Sequence, residues 1–414
     1  MGPVRRTFIL ACLAAALAAL VPAAASAASL GSRLSAAMRP AGGASGAYVV
    51  NATSGQPVLR YRHTTPRILA SNTKLYTTAA ALARYGVAGR LTTEVRGVGT
   101  LDQDGTYRGD LYLVGAGDPT FGSTTFARRS YGGGASVQGL AAALEGIGLR
   151  RVTGRVYGDE SRFDSLRGGP DSRYGVSPYV GPLSGLSYNR GLATENGRGY
   201  QSSPPTFAAA RLDGALAKEG ISVKGAPRAK RTPGEATPLV KVSSPTMARL
   251  AALTNKPSDN FFAEMLVKDL ALQANGKGTT KAGARLAAGF ARRLGAGPAG
   301  LTDGSGLSRG NRASPQRVGN LLLAMRKRDE FTAFNSSLSI AGRDGTLRPR
   351  MRGGAAQGRC RGKTGTISGV TAVSGYCTAR SGQVYVYSIL MNGVNAFGGR
   401  AIQDRMLNAI AASG

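Results

Sequence analysis

Three short polar groupings follow one another along the chain: Ser71 with Lys74 in "LASNTKLYTT", Ser258 with Asn260 in "KPSDNFFAEML", and Lys363, Thr364, Gly365 and Thr366 in "RGKTGT". These residue types suit acyl transfer at a peptide carbonyl, which needs a nucleophile, a base, oxyanion donors and a grip on the substrate. A serine hydroxyl is a weak nucleophile and must lose its proton during attack. Residues three apart share a helix face, so a helix beginning near Ser71 makes Lys74 its neighbour. Lys74 can take the proton only when neutral, a state favoured by burial and by a second cation such as Lys363. Ser258 can relay a proton to the leaving amine, and the Asn260 amide can hold the substrate backbone. Lys363, Thr364 and Thr366 offer a cation and hydroxyls to a terminal carboxylate, while Gly365 leaves the strand open to close approach. Backbone N–H groups of Ser71 and Thr366 complete an oxyanion hole.

The elements that must position these groups are legible in the punctuation. "LYTTAAALARYG" reads as a helix ended by Gly86. From Leu91 to Val114 apolar and polar residues alternate on both sides of Asp104-Gly105, a hairpin signal. Helices near Val137–Ile147 and Phe207–Glu219, with strands at Arg151–Tyr157 and Leu239–Val242, make residues 91–243 an inserted α+β domain. Residues 28–90 and 244–414 then form the reactive domain, with strands in "RCRGKTGTI", "VTAVSGYCTA" and "QVYVYSILMNG" and a last helix near Ile402–Ala411. A two-residue turn at Ser368-Gly369 sets Ile367 against Val370, and the same register puts Cys360 opposite Cys377. A disulfide beside the Lys363 strand is therefore expected. A second Ser-x-Asn, Ser187 with Asn189, reads as a turn; Ser258 is preferred because it heads an apolar helix between the other two groupings.

Composition narrows the chemistry. Residues 1–27 read as an export leader: Arg5 and Arg6, an apolar run containing Cys12, then "ASA" ending at Ala27. The expected location is the periplasm or the extracytoplasmic wall. Beyond the leader only Cys360 and Cys377 remain, and His63 is the only histidine, so a Cys/His zinc site is excluded and a serine enzyme needs another base. No metal or cofactor is expected. The formal charge of +31 in an exported chain points to anionic wall polymers or a membrane surface as neighbours, not nucleic acid.

The ordered trio resembles that of β-lactamases and penicillin-binding proteins. The long gap between Ser71 and Ser258 favours the peptidases over a compact class A β-lactamase. So does the lack of a Glu-x-x-Leu-Asn after Ser258, since Glu330 leads "EFTAFN". With "GDPTFG", "PLSGLSYNRG", "SDNFFAEML", "DGSGLSRGNRASP" and "DGTLRPRM", the chain resembles class C low-molecular-mass penicillin-binding proteins from about Ala47 to near its end. The resemblance implies an α/β penicillin-binding-protein/β-lactamase-like fold: a five-stranded antiparallel sheet flanked by helices, interrupted after the first catalytic helix by the insert. It implies a serine D-Ala-D-Ala carboxypeptidase with endopeptidase activity on peptidoglycan peptides, inhibited by β-lactams. It also implies that Asp118 and Arg309 lie where the substrate's side chain sits, opposite charges suiting a diaminopimelate end. Two other readings stay open, a β-lactamase or esterase of the same fold and a catalytically idle penicillin-sensing or wall-binding protein.

Overall fold

The computed structural model describes Gly2 and residues 29–414; the rest of the expected leader, with Cys12, lies outside the described residues. The chain opens with α1 (Leu30–Met38), β1 (Ser45–Asn51), β2 (Pro57–Tyr61) and the short β3 (Arg67–Ile68). A 3-10 turn at Ala70–Asn72 leads into α2 (Thr73–Tyr85). Next come β4 (Thr92–Leu101), β5 (Thr106–Gly115), α3 (Thr124–Tyr131), α4 (Val137–Gly146) and β6 (Arg151–Asp159). They are followed by α5 (Pro204–Lys218), β7 (Ser222–Ala229) and β8 (Thr237–Ser243). Helices α6 (Met247–Asn255), α7 (Asn260–Asn275) and α8 (Thr280–Arg293), then β9 (Arg312–Ala313), α9 (Pro315–Met325) and α10 (Phe331–Ser336), return the chain to the first sheet. It ends with β10 (Ser339–Ile340), β11 (Cys360–Ile367), β12 (Val370–Thr378), β13 (Val384–Asn392) and α11 (Ala396–Ala411).

The first sheet runs β10-β11-β12-β13-β1-β2, antiparallel throughout. The expected five strands thus gain a sixth, β10, whose two residues pair with Gly362 and Arg361 of β11. Alternate side chains of these strands serve two cores, as a period of two requires. Val49, Val373 and Ile389 pack with Leu34 of α1 and Met406, Leu407 and Ile410 of α11. Tyr48, Val50, Ala372 and Leu390 pack on the other face with α2, α7 and α9. That second core packs α2 against the face formed by β1, β12 and β13.

A five-stranded sheet, β7-β6-β5-β4-β8, spans residues 92–243. The β4–β5 hairpin turns at Asp104-Gly105 as expected, but β6 and β7 join it in parallel register, after crossovers that carry α4 and α5. The apolar sides of those helices, Leu140, Leu144, Leu212 and Leu216, cover Val95, Leu111, Val152 and Val156. Edge strand β7 contains Pro227, which an interior strand would not tolerate. Among the described residues, no helix is long and apolar enough to cross a membrane.

Candidate active site

Ser71 sits in the 3-10 turn that starts α2, and the backbone around it is crowded into one conformation. Ala70 has φ 45°, a left-handed value that costs a non-glycine residue about 1 kcal/mol or more. Two glycines permit the packing that holds it. A Cβ at Gly306 would fall 1.9 Å from the Ala70 carbonyl oxygen, and one at Gly365 would fall 2.9 Å from the Ser71 nitrogen. The Asn72 side chain donates to the Lys363 carbonyl at 3.1 Å, tying the turn to β11.

Lys74 is fully buried, the second residue of α2 and one turn after Ser71. Its Nζ donates to Ser71 Oγ at 3.1 Å, to Asn260 Oδ1 at 2.7 Å and to the Ser305 carbonyl at 2.7 Å. Burial pushes its pKa down to about 8, against the opposing pull of Asp303, Glu264 and Asp259. A neutral amine keeps two N–H groups for the two acceptors at 2.7 Å and points its lone pair at Ser71. This arrangement suits a general base.

The second grouping stands at the head of α7. Ser258 has φ 63°, and Asp259 caps the helix by accepting from the Phe262 N–H at 3.0 Å. Asp259 also pairs with Arg190, an arginine from the inserted stretch, at 2.6 Å. The Asn260 Nδ2 donates to the Tyr179 carbonyl at 3.1 Å, so residues of the inserted stretch reach the rim of the site twice.

A cavity of about 470 Å³ is lined by Ser71, Ser258, Thr346, Thr364, Thr366 and Arg400, among others. It gathers one residue or more from each of the three groupings. The expected role of Lys363 needs revision. Its side chain is fully buried, and Nζ donates to Ser258 Oγ and to the Thr364 carbonyl, both at 2.8 Å, instead of facing the cavity. Burial, then repulsion from Lys74, holds its pKa well below the usual lysine value. The exposed cation in the cleft is Arg400, whose Nη2 donates to Thr366 Oγ1 at 3.0 Å. The other lining arginine, Arg350, is paired with Asp404 at 2.6 Å. Sequence reasoning missed Arg400; a cation near the N-terminal end of α11, where the helix dipole disfavours it, is the signal that was there to find.

The remaining expectations separate. Arg309 lies beside the β11–β12 turn and donates to the Ser368 carbonyl at 3.0 Å. Asp118 is not among the cavity's lining residues. It is 2% exposed, Oδ1 accepts from the Thr120 N–H and hydroxyl, and Oδ2 has no partner. Burial raises its pKa to about 6. Ser187 is buried in a turn and Asn189 Oδ1 accepts from the Ser123 N–H, both as structural parts of the inserted stretch. Cys360 and Cys377 stand opposite in the β11–β12 register and are joined as a disulfide.

Comparison with known proteins adds independent findings. A family model described as the D-Ala-D-Ala carboxypeptidase 3 (S13) family matches residues 28–196 and 200–413. A D-alanyl-D-alanine carboxypeptidase of Actinomadura sp. is 29% identical over 451 residues, covering 89% of this chain and 81% of that protein. A carboxypeptidase DacB of Mycolicibacterium smegmatis is 30% identical over 374 residues, covering 86% and 77%. The crystal structure of penicillin binding protein 4 (dacB) from Haemophilus influenzae superposes with TM-score 0.76 at 20% identity, covering 90% of this chain and 97% of that one. A structure of the same protein with a bound β-lactam gives TM-score 0.69 at 19% identity, covering 90% and 98%.

Proposed function

The chain belongs to the D-Ala-D-Ala carboxypeptidase 3 family, and from that premise we propose that it hydrolyses peptidoglycan peptides as a serine carboxypeptidase and endopeptidase through an acyl-enzyme on Ser71. The observation that carries the mechanism is the buried Lys74 amine, held at 2.7 Å by two acceptors and 3.1 Å from Ser71 Oγ. Neutral Lys74 takes the Ser71 proton as Oγ adds to the D-Ala carbonyl. The backbone N–H groups of Ser71 and Thr366 meet the oxyanion. Ser258, hydrogen-bonded to Lys363, passes its proton to the departing amine and regains one from the Lys74 ammonium, so D-alanine or the cross-linking residue leaves and Lys74 is neutral again. Water then adds to the acyl-serine as Lys74 accepts its proton, the bond to Ser71 Oγ breaks, and Lys74 returns that proton to Oγ as the acid product leaves.

A β-lactam enters the same steps, but its leaving amine stays tethered, so deacylation is slow. Penicillin treatment followed by peptide mapping is expected to place the added mass on the Ser71 peptide. Mass on a Ser258 or Ser187 peptide would overturn the assignment, and fast β-lactam turnover would indicate a β-lactamase.

Around this core stand finer proposals. The leader at residues 1–27 exports the chain to the periplasm or wall, and its net charge of +31 draws it toward anionic wall polymers or membrane surface. Asp118 and Arg309 read a diaminopimelate side chain: Arg309 suits its carboxylate, and the Asp118 carboxyl, buried here with Oδ2 unpartnered, suits its ammonium. Replacing either by Ala should slow hydrolysis of diaminopimelate peptides and spare a substrate with an aliphatic side chain; equal loss on both substrates would refute it.

A further inference from the structure

One carboxylate beneath the site takes no part in these steps. Glu264 lies one turn after Asn260 on α7, on the same helix face, and is fully buried. Its Oε1 accepts the N–H groups of Gly304 and Ser305 at 3.1 and 2.8 Å, and Oε2 has no partner. The segment it grips is the one that holds the base. The Ser305 carbonyl accepts from Lys74 Nζ at 2.7 Å, and the Gly304 carbonyl accepts from Thr77 Oγ1 at 2.8 Å, one turn further along α2. Gly304 is pressed so closely on α7 that an added Cβ would fall 2.4 Å from the Ala263 carbonyl oxygen. The peptide between residues 304 and 305 is thus clamped between the two helices, its N–H toward Glu264 and the next carbonyl toward Lys74.

We propose that Glu264 is the positioning residue for the base: it fixes the Ser305 carbonyl against Lys74 and, by its charge, sets how tightly Lys74 holds the proton taken from Ser71. This inference rests on Lys74 acting as the base. When Lys74 becomes an ammonium in this buried position, a nearby anion is needed to balance it. Asp303, Glu264 and Asp259 all favour the ammonium, Asp303 most, but only Glu264 also grips the peptide that holds Lys74. Asp303 is already engaged by the Gly306 and Ser308 N–H groups and by Asn311 Nδ2. Asp259 is neutralised by Arg190, and Lys268, further along α7, by Asp164. Lys363, on β11, is itself a cation whose proton affinity falls beside Lys74. Glu264 alone combines a grip on the Ser305 peptide with an unused oxygen. Burial, then the Asp303 charge, raise the pKa of Glu264, while the Ser305 N–H and the charge of Lys74 oppose that shift and favour the carboxylate.

The test is the pH dependence of Ser71 acylation by a chromogenic β-lactam, read in the whole protein alongside its thermal midpoint. Glu264→Gln keeps an acceptor for the Ser305 N–H but removes the charge. It is expected to move the rising limb of the acylation rate at least about one unit toward acid, because Lys74 then loses its proton more easily. Glu264→Asp keeps the charge with a shorter reach; its limb is expected at the parental pH with a lower plateau. A Glu264→Gln limb at the parental pH, whatever the rate, would refute the inference, as would a Glu264→Asp limb displaced toward acid. Lys74→Ala keeps the two ideas apart. If it acylates like the parent, the base assignment has failed; if it is slow while the Glu264→Gln limb stays put, only the role of Glu264 has.

Discussion

Beneath the six-stranded sheet the protein buries Lys74, Lys363, Glu264 and Asp303, each held by its own hydrogen bonds. Under the five-stranded sheet it packs leucine, valine and alanine and leaves cations such as Arg108, Arg151, Lys224 and Arg228 outside. An apolar core gains stability from each side chain removed from water, whereas each buried ion costs several kcal/mol unless partners replace its hydration. One region is built for stability; the other gives some up to hold unusual proton affinities. Damage in the first should therefore appear as unfolding, and damage in the second as lost chemistry.

Three substitutions test that contrast, ordered by their effect on acylation. Lys74→Ala should slow penicillin acylation of Ser71 at least about a hundredfold, the scale of losing a positioned base. Its thermal midpoint should not fall, because a buried charge is removed; undiminished acylation would break the contrast at its strongest point. Arg400→Gln should cost roughly tenfold in kcat/KM on peptides with a free terminal carboxylate, the scale of one charge-assisted hydrogen bond. Peptides ending in an amide should be unaffected, and equal loss on both would remove Arg400 from carboxylate binding. Leu212→Ala, in the apolar core, should leave acylation per folded molecule unchanged while lowering unfolding free energy by about 2–5 kcal/mol in a denaturant titration. A slowed acylation there would show that the two regions are coupled more tightly than their cores suggest.

The same contrast explains what could be read in the sequence. Motif order, the boundaries of α2, the start of α7, the β4–β5 hairpin and the cysteine register all rest on local spacing, which survives folding. Strand β1 was not anticipated because it is buried on both faces and shows no alternation. Strand β7 was hidden by its glycine and proline, which suit an edge position. The site was legible where residues sit within one motif. It was not where partners come from distant segments: Arg400 to Thr366, Glu264 to Ser305, and Lys363 turned toward Ser258. Residue types do not report which way a side chain faces once two elements pack together.

The buried lysines have a further consequence, for proton-linked folding. An unfolded chain keeps Lys74 protonated up to about its ordinary value of 10.5, whereas the folded chain releases that proton near 8. Between those values the unfolded state binds more protons, so raising the pH favours the folded one. Lys363 is displaced in the same direction. At neutral pH the fold carries the Lys74 penalty in full, on the order of 3 kcal/mol at 1.36 kcal/mol per unit. Alkali returns it. The parent should gain resistance to denaturant between pH 8 and 10 relative to a Lys74→Met variant, and parallel curves would show that the lysine is not held against its preferred charge.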